Sequence, residues 1–578
     1  MLNSIDKIGD WNPQLLRELK GRLKPFPVII AIVTSLATQL ILFLYQLREI
    51  PNLDSKTDIN ILDKYCNLPN PTKDNYSSWL SCPSNQINME LWWQDHFKYM
   101  FLSLSVILIF TLLVAGTYLI INDLSQEERK GTLNFIRLSP QSEMSIFAGK
   151  MLGVPVLIYL VFIAAIPFHF LIGIRGNISA VNILCFYLTL VATCTFFYSL
   201  ASLFGVFGGK ALSGFKPWLG SGFVLLFLSV SMMFSDSGQY YNYLGFQTLW
   251  SPTDISHYFF PDLFNTRTPQ LLQLQFFNFA IGKSFFGVIA LYLANYALWT
   301  YWVWQGLKRC FRNPNATVFS KQQSYLIFTC FEIVLIGFFI SEPYSNQQYD
   351  GLSRFNPSMT ALYIWNLLLI IPLFALILPH RQAIQDWARF RFNKNENSPD
   401  FVKKSIFSEF IFSEKSPAIV AIAINLLIAV TASVVLFAQA SINSLEIKDI
   451  SLKLFGCLLV FLSLMMIYAT VAQIMLMLKN SKRILWAAGT ISALIVVPII
   501  ILAILNIPIK NISWLFTISF WFVSFSYTHY GHNFQDTNLL IAFICQLFIL
   551  GFLNWYLIKQ VKFAGESATK AMFSQSEV

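Results

Sequence analysis

Long apolar runs separated by short polar segments dominate this chain. Twelve runs reach or approach the roughly 20 apolar residues that a membrane-spanning helix needs. They cover residues 27–46, 101–122, 151–173, 182–207, 217–235, 279–304, 324–341, 359–379, 417–438, 454–478, 485–505 and 538–559. A further run, 513–527, is short and bounded by polar residues. The pattern predicts an all-α integral membrane protein with about 12 transmembrane helices.

The composition agrees with lipid as the solvent for much of the chain. Hydrophobic residues make up 55% of the sequence and charged residues 12%, whereas soluble proteins carry about 25% charged residues. The net charge is +10, but the basic residues lie in short loops between apolar runs and form no basic stripe with interleaved aromatic residues. We therefore expect no nucleic-acid binding.

The distribution of lysine and arginine predicts the orientation in the membrane. If the N-terminus is cytoplasmic and 513–527 does not cross, the cytoplasmic segments hold 28 basic residues and the outer segments hold 11. Such a bias is typical of cytoplasmic loops. We expect both termini in the cytoplasm, a plasma (inner) membrane location, and a re-entrant or interfacial segment at 513–527. The first apolar run has full spanning length and should remain as an anchor.

The predicted spans divide into two sets of six with the same layout. In each set a longer cytoplasmic loop follows the second span, and a long outer segment separates the fifth and sixth spans. No residue-level repeat accompanies this layout, so the pseudo-symmetry is a hypothesis. The predicted units are an interfacial helix (1–25), a first six-span domain (26–310), a linker (311–323), a second six-span domain (324–560) and a cytoplasmic tail (561–578). A homodimer and a pseudo-dimeric single chain both remain open.

The segment before the first span has the pattern of an amphipathic helix. Asn12 can cap such a helix, and Pro13 suits its first position. Its apolar face holds Leu15, Leu16, Leu19 and Leu23, and its charged side holds Arg17, Lys20, Arg22 and Lys24. The pattern favours a helix on the cytoplasmic membrane surface over a soluble helix packed on another subunit.

The loop between the second and third spans carries the most informative pattern. A charged stretch at 127–130 is broken by Gly131 and Thr132. A short apolar helix face follows and ends at Ser139-Pro140. The residues of this face are Leu133, Phe135, Ile136 and Leu138. A new helix begins near Ser142 and leads into the third span. A projection that is both charged and apolar is suited to docking into a groove on a partner. The alternative is a loop that only sets topology.

This loop resembles that of the permease subunits of type-2 ABC exporters, whose pattern reads like E-R-x-x-G-T-L-x-x-L-x-x-[ST]-P followed by Gly-Lys. The matching residues are Glu128, Arg129, Gly131, Thr132, Leu133, Leu138, Ser139, Pro140, Gly149 and Lys150. Two departures are that only Lys130 separates Arg129 from Gly131, and that Ile136 stands where Leu is usual. The helix at Asn12-Pro13 resembles the elbow helix of that family. The resemblance covers residues 1–310 and reaches the second half only through its layout.

The resemblance implies a mechanism in which a separate ATPase binds this loop, closes on ATP and moves the first and second spans. It implies a lipid-like, glycan or amphiphilic substrate. We expect no enzymatic activity and no cofactor in the chain itself. Gly208-Gly209-Lys210 and Gly282-Lys283-Ser284 lack the earlier glycine of a phosphate loop, because Phe204 and Phe277 stand at that position. The first rival is a secondary transporter driven by an ion gradient, and the second is a membrane-embedded transferase, for which only the weak group at 529–536 is available.

Three further features are weaker. Cys66 and Cys82 share one outer loop, where a disulfide and two free thiols are both compatible with the sequence. Glu332 lies inside the seventh predicted span, where a carboxylate is a functional candidate. His529 and His532 lack a convincing third ligand, so we expect no metal site there.

Overall fold

A computed structural model describes residues 8–49, 65, 88–211, 216–235, 246–260, 274–340, 351–392, 406–443, 445–480, 482–505 and 536–565. Within these ranges every long element is a helix, which confirms the all-α prediction.

Nine described helices are long and apolar enough to cross a membrane, and a pair bent by 62°, Ala361–Ile377 with Arg381–Arg391, makes a tenth candidate. Two shorter apolar helices, Trp218–Met232 and Arg483–Pro498, lie where the sequence predicts further spans. The chain is therefore an integral membrane protein with about nine or ten candidate spans. Twelve spans and two domains remain predictions.

The helices of the first half are α1 (Pro13–Arg22), α2 (Pro25–Arg48), α3 (Met89–Phe110), α4 (Gly116–Lys130), α5 (Thr132–Arg137), α6 (Glu143–Gly153), α7 (Val156–Arg175), α8 (Ala180–Ala211), α9 (Trp218–Ser235), α10 (Pro252–Phe259) and α11 (Phe285–Arg312). Those of the second half are α12 (Lys321–Phe339), α13 (Gly351–Ile377), α14 (Arg381–Phe392), α15 (Ile406–Phe412), α16 (Ile419–Asn443), α17 (Leu445–Leu476), α18 (Arg483–Ile504) and α19 (Asp536–Gly565).

Helices α3 and α4 form one continuous helix of 42 residues through a π-helical turn at Thr111–Ala115. A π turn disturbs the regular backbone ladder, and carbonyl groups there need other donors in an apolar core. The hydroxyl of Tyr198 on α8 donates to the carbonyl oxygen of Leu112 at 2.8 Å. Gly116 leaves the space for the Tyr198 ring. The turn is thus stabilised by α8, and α3–α4 can act as a single rod.

The connections between spans meet on one face of the helix bundle. Arg312, at the end of α11, pairs with Glu143 at the start of α6, and Arg309 pairs with Glu414 before α16. A cavity on this face is lined by residues from α5, α14 and α18 together. We call the face that carries these two ion pairs and this cavity the basic face. The positive-inside bias predicts that it is cytoplasmic.

Some sequence-based predictions lie outside the described residues. They concern the segment 513–527, the pair Cys66 and Cys82, the group around His529, and the end of the C-terminal tail from residue 566. These remain predictions.

Candidate docking site on the basic face

A left-handed glycine separates α4 from α5. Gly131 has φ = 73°, and its N–H donates to the carbonyl oxygen of Glu128 at 3.1 Å, which ends α4. Helix α5 begins at the next residue, Thr132, whose hydroxyl donates to the carbonyl oxygen of Glu127 at 3.2 Å. An L-residue costs about 1–2 kcal/mol in this backbone region. Gly131 therefore permits the tight reversal that the sequence predicts at this position.

Helix α5 separates a buried anchor from an exposed surface. Leu133 is 0% exposed and packs in the core of the chain, whereas Phe135 is 77% and Leu138 is 85% exposed. The sequence predicts Leu133 among the residues that contact a partner, but its side chain faces inward. Pro140 and Met144 are also exposed. We call Phe135, Leu138, Pro140 and Met144 the docking surface.

The polar residues of the loop differ in their roles. Glu128 accepts a hydrogen bond from Arg137 at 3.0 Å, and both side chains are largely shielded from solvent. The guanidinium of Arg137 also lies over the ring of Phe311 at 5.5 Å. Glu128 therefore braces α4 against α5. Arg129 differs from Glu128, because its side chain is exposed to solvent. Its Nε donates to the carbonyl oxygen of Ser125 at 3.2 Å.

A buried ion cluster fixes the loop to the elbow helix α1. Lys150 is 0% exposed, and its Nζ lies 2.6 Å from Asp123, 2.8 Å from Glu127 and 3.4 Å from Glu18. Two arginines of α1 complete the cluster. Arg22 pairs with Asp123 at 2.7 Å and with Glu18 at 3.1 Å, and Arg17 pairs with Glu127 at 3.0 Å. We call these six residues the elbow clamp. Three carboxylates face three cations, so the clamp has no net charge.

The protonation state of Lys150 follows from these contacts. Burial alone lowers the pKa of an ammonium group. The neighbouring carboxylates of Asp123, Glu18 and Glu127 outweigh burial and raise the pKa of Lys150 above its usual value. These carboxylates lie close enough together to suggest a metal site. The ammonium group of Lys150 already lies among them and supplies balancing charge.

Two glycines of α6 allow α1 to approach closely. A Cβ atom added to Gly149 would lie 2.8 Å from both Asn12 Oδ1 and the backbone nitrogen of Leu15, and one added to Gly153 would lie 2.5 Å from the Cβ of Glu18. Asn12 Nδ2 donates to the carbonyl oxygen of Ser145 at 2.8 Å, which fixes the register. Its Oδ1 caps α1 by accepting from Leu15 at 3.0 Å, as the sequence predicts.

The elbow helix therefore has a polar contact with its own chain. Its buried residues Asn12, Gln14, Leu15 and Glu18 include three polar side chains. Leu16, Leu19 and Leu23 stay partly exposed and remain available to a membrane surface. Sequence reasoning found Gly149 and Lys150 through the family resemblance alone and missed Glu18 and Asp123. The spacing of Glu18 and Arg22 by four residues was the available signal.

Further ion pairs lie on the same face, one within the first half and one within the second. Arg312 donates to Glu143, and this contact lowers the pKa of the Glu143 carboxyl below its usual value. Glu409 on α15 accepts from Trp387 Nε1 at 3.0 Å and from Arg391 at 3.1 Å, both on α14. Helix α15 is thereby held against α14.

Glu332 lies on α12 and is buried, as its position in an apolar run predicts. Neither carboxyl oxygen of Glu332 accepts or donates a hydrogen bond among the described residues. The side-chain amide of Asn366 lies nearby. A buried carboxyl group without a charge partner is costly when ionised.

Comparisons with protein-family models, curated proteins and solved structures find no match for this chain. The sequence and the structure together define a multi-span helical membrane protein, and its architecture is consistent with a transporter.

Proposed function

We propose that this chain is the membrane-spanning permease subunit of an ATP-driven exporter of the type-2 ABC kind. The observation that carries the proposal is the exposure of Phe135 and Leu138 on a short helix that is rigidly attached to a membrane span. Apolar side chains on an otherwise polar projection lose contact with water when they fill a groove on a partner. The partner would be a separate ATPase that binds the ATP.

The ion pairs supply a route from the docking surface to the spans. Helix α5 follows directly from the rod α3–α4, and the brace between Glu128 and Arg137 resists bending at their junction. The elbow clamp connects the end of that rod to α1, which leads into α2 after two residues. A displacement of α5 by the ATPase would thus move the first and second spans together. In this proposal the exported substrate is lipid-like, a glycan or otherwise amphiphilic.

The test replaces the two exposed apolar residues of α5. Phe135→Asp with Leu138→Asp should place two unpaired charges in the groove, which costs several kcal/mol when the groove is dry. Insertion should be unchanged because both side chains are exposed. ATPase association and transport should fall together. The matched control is Gln126→Asp with Asn480→Asp, which adds the same charge at two exposed polar residues outside α5.

Full association and transport in the Phe135/Leu138 variant would contradict the docking role, and so would an equal loss in both variants. Leu133→Asp is a poor substitute for this test, because Leu133 is buried in the chain's own core and the variant would lose stability.

The second candidate is an ion-gradient-driven secondary transporter, and Glu332 is the observation that favours it. A protonatable carboxyl group within the spans is the feature such transporters use. Glu332→Gln keeps the shape of the side chain and removes its ionisation. In the ATPase-coupled mechanism this variant should keep ATP-dependent transport. In a proton-coupled mechanism, wild-type transport should not depend on ATP, and the variant should lose transport.

A further inference from the structure

The ends of α14, α17 and α19 enclose a second cavity on the basic face, with a volume of about 740 Å³. Its cationic lining residues are Arg381, Lys479, Lys559 and Lys562, and its aromatic lining residues are Trp555, Tyr556 and Phe563. No acidic side chain is among the described residues that line it. The cavity therefore combines positive charge with an apolar wall.

Among the described residues, no acidic side chain neutralises the positive charge of this cavity. Lys479, Lys559 and Lys562 are exposed and have no ion pair with a described residue. The C-terminal ends of α17 and α19 each contribute roughly half a negative charge, which is far less than the charge of four cations. The other large cavity of this face differs, because Lys415 there lies 3.9 Å from Asp386 and Arg137 pairs with Glu128. An unneutralised basic cavity favours an anionic ligand.

The position of the cavity on α19 indicates the kind of anion. Within the described structure only 17% of the most apolar 18-residue window of Leu540–Gly565 is buried, which leaves a long apolar face that lipid can cover. Phe548, Phe552 and Trp555 are exposed along it. Tryptophan and tyrosine at the end of a span are typical of the membrane–water interface. Lys559 lies with its Nζ 5.6 Å from the ring of Trp555, so a cation stands beside an aromatic residue of the interfacial type.

We propose that this cavity binds the phosphate headgroup of an anionic phospholipid, whose acyl chains lie along the exposed face of α19. Basic pockets at the ends of membrane helices recognise such headgroups. A lipid fits better than free phosphate because Ile558 and Trp555 continue the cavity wall into the apolar face of the helix. The proposal is independent of the ATPase partner.

The test is native mass spectrometry of the purified full-length chain with phosphatidylglycerol or phosphatidylcholine added. Wild type should retain phosphatidylglycerol in preference to phosphatidylcholine. Each lysine removed should weaken retention about fivefold, so Lys479→Gln, Lys559→Gln and Lys562→Gln together should weaken it on the order of 100-fold. The control triple is Arg389→Gln, Lys415→Gln and Lys482→Gln, which removes the same charge from exposed residues of this face outside the cavity.

Several results would overturn the proposal. Equal retention of the two lipids would show that the headgroup charge is not recognised. An equal loss in the control triple would show a general effect of charge on this face. Displacement of phosphatidylglycerol by millimolar inorganic phosphate would identify a site for free phosphate. All variants change exposed side chains, so an unchanged thermal unfolding profile provides the folding control.

Discussion

Removal of the buried lysine in the elbow clamp tests how α1 is attached to the rod α3–α4. Lys150→Met keeps the length of the side chain and removes its charge. Two arginines then face the three carboxylates of Glu18, Asp123 and Glu127, so one buried negative charge has no partner. Removal of one partner from a buried ion pair costs about 3–5 kcal/mol. Detachment of α1 lets water reach these carboxylates and relieves up to the whole of that cost, so α1 should detach from α6 more often.

The assay measures how often α1 detaches. A cysteine at the buried position Leu15, in a background without the eight native cysteines, reports detachment through its reaction rate with a maleimide. When opening is faster than labelling, the rate follows the opening equilibrium. A loss of about 3–5 kcal/mol corresponds to a rate increase of roughly 10²- to 4 × 10³-fold. Lys130→Met, which removes an exposed lysine at the end of α4, should leave the rate nearly unchanged.

The pH dependence and a second substitution check the electrostatic explanation. In Lys150→Met, protonation of one carboxyl group removes the unpaired negative charge from the clamp, so the closed form gains stability as pH falls. The excess rate, relative to Lys130→Met at the same pH, should shrink from pH 7 to pH 5. Adding Glu127→Gln restores charge balance and should recover most of the attachment. Equal rates for Lys150→Met and Lys130→Met would refute the reasoning.

Three other predictions follow from the same region. Gly131→Ala should lower thermal stability by about 1–2 kcal/mol because of the left-handed backbone, and a loss below a few tenths would contradict that conformation. Gly149→Val should release α1 in the Leu15 labelling assay, whereas Gly222→Val, whose added Cβ meets open space, should not. The Arg312 contact with Glu143 should be present above the usual glutamate pKa and lost as pH falls through the lowered pKa of Glu143. The thermal destabilisation that Glu143→Gln causes at pH 7 should disappear as pH falls through that lowered pKa, and a destabilisation that stays constant down to pH 2 would contradict it.

Hydrophobic periodicity predicts the helical class and most span positions because the membrane requires long apolar runs whatever their neighbours are. In the runs 217–235 and 485–505 the described apolar helices, Trp218–Met232 and Arg483–Pro498, are shorter than the nine candidate spans. Proline at Pro498 within α18 shows that apolar composition alone does not fix helix regularity.

The docking loop shows where sequence reasoning stops. Its boundaries follow from Gly131 and Pro140, whose backbone preferences are local. The opposite exposure of Leu133 and Phe135 depends on how α5 lies against the rest of the chain, which a six-residue helix does not encode by periodicity alone. In the elbow clamp, Glu18 is more than 100 residues away in sequence from both Asp123 and Lys150. Only the tertiary structure brings these three residues together.

Photocrosslinking from the docking surface tests the central proposal most directly. Benzoylphenylalanine replaces Phe135, which is 77% exposed, or Phe147, which is 0% exposed and serves as the matched control. Irradiation of intact cells followed by mass spectrometry identifies the partner. The account predicts a crosslink from position 135 to a protein that carries an ATP-binding cassette, and none from position 147. The absence of a crosslink from position 135 in a chain that still transports, or a crosslink only to proteins without a nucleotide-binding site, would contradict it.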